Sequence, residues 1–162
     1  MSQVLDGRVV IYNQVHWFRG QQDLFEVGCF KGSLDKVFMG VDHRYHESPL
    51  GKEEDGSLEL YDDDVALHFR LKLSDEALQR LDGRSEASAA YVVQSSEIIK
   101  GIRHIKHAIL FEISAVHVGS LTQSHCIVRD AKSVGALADD SRTRFANDGA
   151  FTKVIAALKR LQ

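Results

Sequence analysis

Ser88 and Glu112 are polar residues set inside two apolar segments of the chain. Residues 86–93 read Glu-Ala-Ser-Ala-Ala-Tyr-Val-Val, and residues 108–116 read Ala-Ile-Leu-Phe-Glu-Ile-Ser-Ala-Val. Both segments are rich in β-branched and aromatic residues and contain no proline, which predicts buried strands. A buried carboxylate is costly unless it has a partner. Glu112 therefore either faces water or pairs with a group such as a histidine.

His43 is a candidate for this partner, in the segment Met-Gly-Val-Asp-His-Arg at residues 39–44. A serine, a histidine and an acid on three separate strands are the parts of an activated nucleophile. The imidazole takes the hydroxyl proton, and the acid orients the imidazole. Their order along the chain does not matter, because only the geometry does. Such a set can be picked out of most chains, so spacing alone does not establish the site.

A metal site is an alternative use of the histidines, of which the chain has eight. A single His-x-x-His pair is a weak metal signal, and no Cys-x-x-Cys pair accompanies it. The candidate ligands are His43 with His46, or His104 with His107, and Asp42 or Glu112. The residues alone leave the serine site and the metal site open; the serine site would need no metal and no cofactor.

The two cysteines, Cys29 and Cys126, are too few for a disulfide framework and suit a reducing compartment. Cys126 follows His125, which raises the alternative of a cysteine nucleophile with its base. Neighbouring residues on a strand point to opposite faces, so these two side chains are not expected to meet. Cys126 is therefore expected in the core.

Composition excludes several functional classes. The chain has 162 residues, 44% hydrophobic and 27% charged, as expected for one soluble globular domain. A net charge of −3 gives no broad positive surface for nucleic acid. The N-terminus has neither a basic region nor an apolar run, so it does not resemble a signal peptide. No apolar stretch is long enough for a membrane span.

The pattern of the remaining segments predicts a mostly β domain of the α+β class. Residues 58–73 alternate on either side of an acidic turn, as a hairpin does, and Ser74 caps a short helix that Gly83 ends. We expect an antiparallel barrel or sandwich with this inserted helix over residues 1–129. Residues 130–148 are predicted to be a linker, and residues 149–162 a C-terminal helix with one apolar face.

Several segments in order resemble motifs of the prohead (capsid maturation) proteases of tailed phages. Their fold is similar to that of the herpesvirus assemblin proteases. The clearest segment is Leu-Phe-Glu-Ile-Ser-Ala-Val at residues 110–116, which resembles the family's Leu-x-Glu-Val-Ser-x-Val. Residues 41–44, 49–51 and 88–91 resemble its Asn-His-Asp, Pro-Ile-Gly and Ser-x-Gly-Phe motifs. The resemblance extends over residues 24–128.

The resemblance implies a serine endopeptidase with Ser88 as the nucleophile, His43 as the general base and Glu112 as the third member. The assemblin proteases use a histidine as the third member, so His104 and His107 are second candidates. The implied substrate is the major capsid protein or its scaffold segment. The implied place is the cytoplasm of an infected bacterium, inside assembling procapsids. Self-association, as a homodimer or a higher oligomer, is also expected.

The chain departs from the family pattern at a few positions near the implied site. Ala90 stands where the family has glycine, Asp42 replaces asparagine, and Arg44 replaces aspartate. Residues 118–120, Val-Gly-Ser, replace the usual small Pro-Ala turn. An added Cβ at Ala90 would crowd the backbone near the nucleophile. The rival hypothesis is therefore a non-catalytic capsid-assembly protein that keeps the protease fold. The residues do not identify a donor for the oxyanion.

Overall fold

The computed structural model describes residues 2–121 and 124–131 of the chain. The predicted C-terminal helix at residues 149–162, and all but the first two residues of the predicted linker, lie outside the described residues. The proposed division into a domain, a linker and a helix therefore stays a prediction.

Ten strands and one helix make up the described part. They are β1 (Gln3–Ile11), β2 (Val15–Phe18), β3 (Gln21–Phe25), β4 (Phe38–Val41), β5 (Gly51–Lys52), β6 (Leu58–Asp62), β7 (Ala66–Leu73), α1 (Asp75–Leu81), β8 (Glu86–Ile99), β9 (Ile102–Val116) and β10 (His125–Asp130). The mostly β prediction with a short inserted helix is confirmed. Ser74 caps α1 as expected, because its hydroxyl accepts from the Ala77 N–H. In the described part of the chain, no helix is long and apolar enough to cross a membrane.

The strands form two sheets, and neither closes on itself within the described residues. One is antiparallel, in the order β10-β1-β7-β6. In the other, β9 is central: β8 runs antiparallel along one edge, while β3 and β4 run parallel along the other. The parallel pairs add to the antiparallel pairing that the sequence predicted. The finer choice between a barrel and a sandwich stays a prediction.

One apolar core joins the two sheets. Leu67, Phe69 and Leu71 alternate along β7 and are fully buried, as the period-two pattern predicts. They belong to the same cluster as Phe25 of β3 and Ile113 of β9. This shared core fixes the position of β9, the strand that carries Glu112.

Candidate active site

Three strands lie side by side where the predicted site residues meet. Ser114 of β9 pairs with Ser88 of β8 on one side and with Gly40 of β4 on the other. Directly paired residues on neighbouring strands share a face of the sheet. The sheet therefore places the Ser88 side chain beside Ser114, two residues from Glu112.

A β-bulge in β9 turns the Glu112 side chain away from the apolar core cluster. Ala90 pairs with Glu112 but the next residue, Tyr91, pairs with Leu110, so Phe111 is an extra residue on β9. Without the bulge, Leu110 and Glu112 would share a face, because they are two residues apart. Leu110 instead packs in the core cluster, while Glu112 faces His43. Bulges of this kind commonly redirect a side chain beside an active site.

The turn after β4 carries His43 to this face. Asp42 and His43 both have left-handed backbone angles, with φ of 48° and 54°. Such angles are uncommon outside glycine, although Asp and His tolerate them better than most residues. The turn is held because the Asp42 N–H donates to the Ala115 carbonyl at 3.1 Å and the His43 N–H donates to Ser114 Oγ at 2.9 Å.

The three predicted residues form one continuous chain of contacts. His43 Nε2 lies 2.9 Å from Ser88 Oγ, and His43 Nδ1 lies 2.6 Å from Glu112 Oε2. Glu112 is 1% exposed and Ser88 5% exposed, whereas one third of the His43 side chain is open to solvent. The imidazole thus sits between a buried carboxylate and a buried hydroxyl.

The protonation of His43 follows from these contacts. A neutral imidazole that keeps its proton on Nδ1 donates to Glu112, which leaves Nε2 free to accept the Ser88 proton. The hydrogen bond to the Glu112 carboxylate raises the pKa of His43 above its ordinary value, although partial burial acts in the opposite direction. This arrangement suits a general base whose protonated form is stabilised by the acid.

Ser114 completes the support of Glu112 and was assigned no role from the sequence. Its hydroxyl donates to Glu112 Oε1 and accepts from the His43 N–H, so it joins the acid to the base. Both oxygens of the buried carboxylate therefore have partners, as a buried charge requires. Gly40 leaves the space for this contact, since a Cβ there would lie 3.1 Å from Glu112 Oε1.

Arg84 holds the turn from the other side. Its guanidinium makes two hydrogen bonds to the Asp42 carboxylate, at 3.1 Å and 2.6 Å. It also donates to the Leu81 carbonyl at 3.1 Å. Arg84 lowers the pKa of Asp42, which keeps that carboxylate ionised. A planar two-bond contact of this type fixes orientation, and it links the His43 turn to the end of α1.

The second candidates for the third position lie elsewhere on β9. His104 pairs with Glu97 and His107 with Ser95, towards the far end of the β8–β9 hairpin. His107 is five residues from Glu112, or roughly 16 Å along an extended strand. The His43 imidazole meets Glu112 instead. Cys126 is buried, as expected. No cluster of three potential metal-ligating side chains occurs within residues 2–121 and 124–131.

A known family model matches most of the chain. The model of the caudovirus prohead serine protease family matches residues 1–136. The chain belongs to this family. No curated protein matches the chain. The family match confirms the resemblance to prohead proteases. At the level of the family, it supports a serine peptidase that acts in phage capsid maturation.

The structure brings together Ser88, His43 and Glu112, the three residues that the sequence predicts as a site. The support given by Ser114 and Arg84 was not predicted from the sequence. Ser114 lies inside the segment that resembles the family motif, so its place there was a usable signal. No local pattern announces the pairing of Arg84 with Asp42, which is 42 residues away.

Proposed function

We propose that this protein is a serine endopeptidase that cleaves the capsid protein or its scaffold segment during procapsid maturation. Ser88 is the nucleophile, His43 the general base and Glu112 the residue that orients the base. The observation that carries the proposal is the continuous contact from Ser88 Oγ through both His43 nitrogens to the buried Glu112 carboxylate. Membership of the prohead serine protease family supports the class of substrate.

The reaction follows from this geometry. His43 Nε2 takes the Ser88 proton as Oγ attacks the scissile carbonyl carbon, and the carbonyl π electrons move to oxygen to form a tetrahedral oxyanion. His43 then gives the proton to the leaving amine, which leaves an acyl group on Ser88. Water activated by His43 hydrolyses this ester. Glu112 keeps the imidazole in the required tautomer and stabilises its charged form.

Substitution of the nucleophile tests the proposal. Ser88→Ala is expected to abolish cleavage of a co-expressed capsid protein, because nucleophile, base and acid act as a unit. The fold should persist, since the change removes one hydroxyl from a strand that already carries Ala87, Ala89 and Ala90. Ser96→Ala, an exposed serine on the same strand, is the matched control. Cleavage is followed by electrophoresis and mass spectrometry.

The outcomes separate this function from its rivals. Normal cleavage by Ser88→Ala would place the nucleophile elsewhere. A wild-type protein that binds the capsid protein yet never cleaves it would favour the non-catalytic assembly protein. A chelator should leave wild-type cleavage unchanged, whereas it would silence a metal hydrolase. Self-association, expected from the resemblance, is tested separately by sedimentation of the full chain and of a chain lacking residues 149–162.

A further inference from the structure

Glu86 ties the segment after β9 to the strand of the nucleophile. Glu86 and Ser88 are two residues apart on β8, so their side chains share a face. Glu86 Oε2 accepts from the Gly119 N–H at 2.5 Å. The contact draws the chain back across β8 soon after β9 ends at Val116.

Gly119 allows this close approach. A Cβ at this position would lie 2.8 Å from the Ala87 carbonyl oxygen and 2.5 Å from Ser124 Oγ. The first of these neighbours is backbone, which cannot move aside cheaply. The glycine and the Glu86 carboxylate together therefore fix the next residue, Ser120, beside the site.

Ser120 contacts the atom that reacts. Its Oγ lies 3.3 Å from Ser88 Oγ. The Ser88 proton is directed at His43 Nε2, which lies 2.9 Å away. The proton in the contact between the two serines is then that of Ser120, because each hydroxyl has one proton to donate.

We infer that Ser120 is a further catalytic residue, whose hydroxyl donates to the negative charge that develops at the reacting centre, and that Glu86 is its positioning residue. The inference rests on the proposed function. Ser120 first donates to Ser88 Oγ as His43 removes the proton. Once Oγ has bonded to carbon, the Ser120 hydroxyl turns to the oxyanion on that same carbon. Ser120 keeps its own proton throughout.

Donors of this kind act where charge appears in the transition state. Removing one strong oxyanion donor costs about 10²–10³ in kcat. A rotatable hydroxyl at 3.3 Å is a weaker donor, so we expect a loss of roughly 10- to 100-fold for Ser120→Ala. KM should change little, because the interaction is made mainly in the transition state.

A fluorophosphonate probe tests the residue on the full chain. The rate of Ser88 labelling is measured for wild type, Ser120→Ala and Ser120→Thr, with Ser96→Ala as the matched control. Ser120→Ala should be labelled roughly 10- to 100-fold more slowly, since the phosphonyl oxygen takes the place of the oxyanion. Ser120→Thr keeps the hydroxyl and should restore most of the rate. Labelling of Ser120→Ala at the wild-type rate would overturn the inference.

Glu86 is tested by its conservative variant and by a double substitution. Glu86→Gln keeps an oxygen that accepts from Gly119 N–H and should react nearly as wild type does, whereas Glu86→Ala should lose rate as Ser120→Ala does. If both act through one contact, the double variant with both alanines is no slower than Ser120→Ala alone. Losses that multiply would overturn the positioning role. Circular dichroism of each variant checks the fold.

The same assay separates this inference from the proposed function. A wild-type protein labelled on Ser88 that cleaves no capsid protein would refute the protease proposal, while the labelling rates would still decide the role of Ser120. A wild-type protein that the probe leaves unlabelled would refute both.

Discussion

Among the histidines that lie beside a carboxylate, His43 and His68 form pairs that are built in opposite ways. In the pair His43–Glu112, the carboxylate is 1% exposed and the imidazole 33% exposed, with 2.6 Å between Nδ1 and Oε2. In the pair His68–Asp63, the imidazole is 10% exposed and the carboxylate 36% exposed, with 3.0 Å between Nε2 and Oδ2. The buried partner is the acid in one pair and the base in the other.

This difference reverses the direction in which the pKa of the imidazole shifts. The buried Glu112 carboxylate raises the pKa of His43. Burial lowers the pKa of His68, and the charge and hydrogen bond of Asp63 only partly offset it. Burial thus favours the neutral form of His68, whereas the hydrogen bond to Glu112 favours the protonated form of His43.

The other contacts of the His68–Asp63 pair stabilise a turn. Asp63 Oδ1 accepts from the N–H groups of Val65 and Ala66 at 2.8 Å, and the Tyr61 ring stacks on His68 with 4.9 Å between centroids. This pair closes the turn between β6 and β7. A histidine beside an acid is therefore not a catalytic signature by itself. The buried acid and the hydroxyl at the other nitrogen distinguish His43.

The largest expected effect comes from removing each imidazole. His43→Ala should lower kcat by at least about 10⁴-fold, because no other group takes the Ser88 proton. His68→Ala should leave kcat within about threefold and lower the melting temperature, because the turn loses a buried contact. Peptide hydrolysis and thermal melts measure the two effects. A large loss of kcat in His68→Ala would make the two pairs functionally alike.

Neutralising each acid should give the next largest difference. Glu112→Gln should lower kcat by about 10²–10⁴-fold, but less than His43→Ala does, since it misorients the base without removing it. Asp63→Asn should spare kcat and cost about 1 kcal/mol of stability. Kinetics with urea denaturation would measure both. Equal activity of Glu112→Gln and wild type would remove Glu112 from the proposed mechanism.

Removing the support of the buried carboxylate should have a smaller effect. Ser114→Ala leaves Glu112 Oε1 and the His43 N–H without this partner, at a cost of about 1–3 kcal/mol for a buried unpaired group. We expect kcat to fall by roughly tenfold, because the base is held less firmly. A pH–rate profile checks the route: the pKa of its low-pH limb, where His43 becomes protonated, should shift as well as the plateau. An unchanged profile with lost stability alone would make Ser114 purely structural.

The sequence predicted the strands better than their pairing. Period-two alternation located β7, and the Ser74 cap located α1, because both signals are local. The bulge at Phe111 and the parallel pairing of β4 with β9 depend on contacts far apart in sequence, so no local pattern predicts them. The pairing of Arg84 with Asp42 is unpredictable for the same reason, whereas Ser114 lies inside a segment that resembles a family motif.

The candidate site residues are predicted from motif order, because spacing alone fits many chains. Ser88, His43 and Glu112 each lie in a segment that resembles a family motif, and these segments occur in the family's order. No motif or local pattern predicted the left-handed backbone of His43. Hydrogen bonds from the Asp42 and His43 N–H groups to β9 hold this conformation.

The smallest expected effect is a difference in how the two histidines make stability depend on pH. His43 has a folded-state pKa above its unfolded value, about 6.5, so its contribution is present below pH 6.5 and is lost as the pH rises through the folded pKa. Its neighbouring charges are Glu112 and Asp42. The stability difference between wild type and His43→Ala should therefore shrink at higher pH.

His68 should behave in the opposite way. Its folded-state pKa lies below 6.5, so its contribution is present above pH 6.5 and is lost as the pH falls through the folded pKa, with Asp63, Asp6 and Arg8 as its charged neighbours. The difference between wild type and His68→Ala should shrink at lower pH. Urea denaturation from pH 5 to pH 8 measures both slopes. If the two stability differences changed with pH in the same direction, the exposure of the acid or of the base would not set these pKa values. The contrast between the two pairs would then rest on the contact of His43 with Ser88 alone.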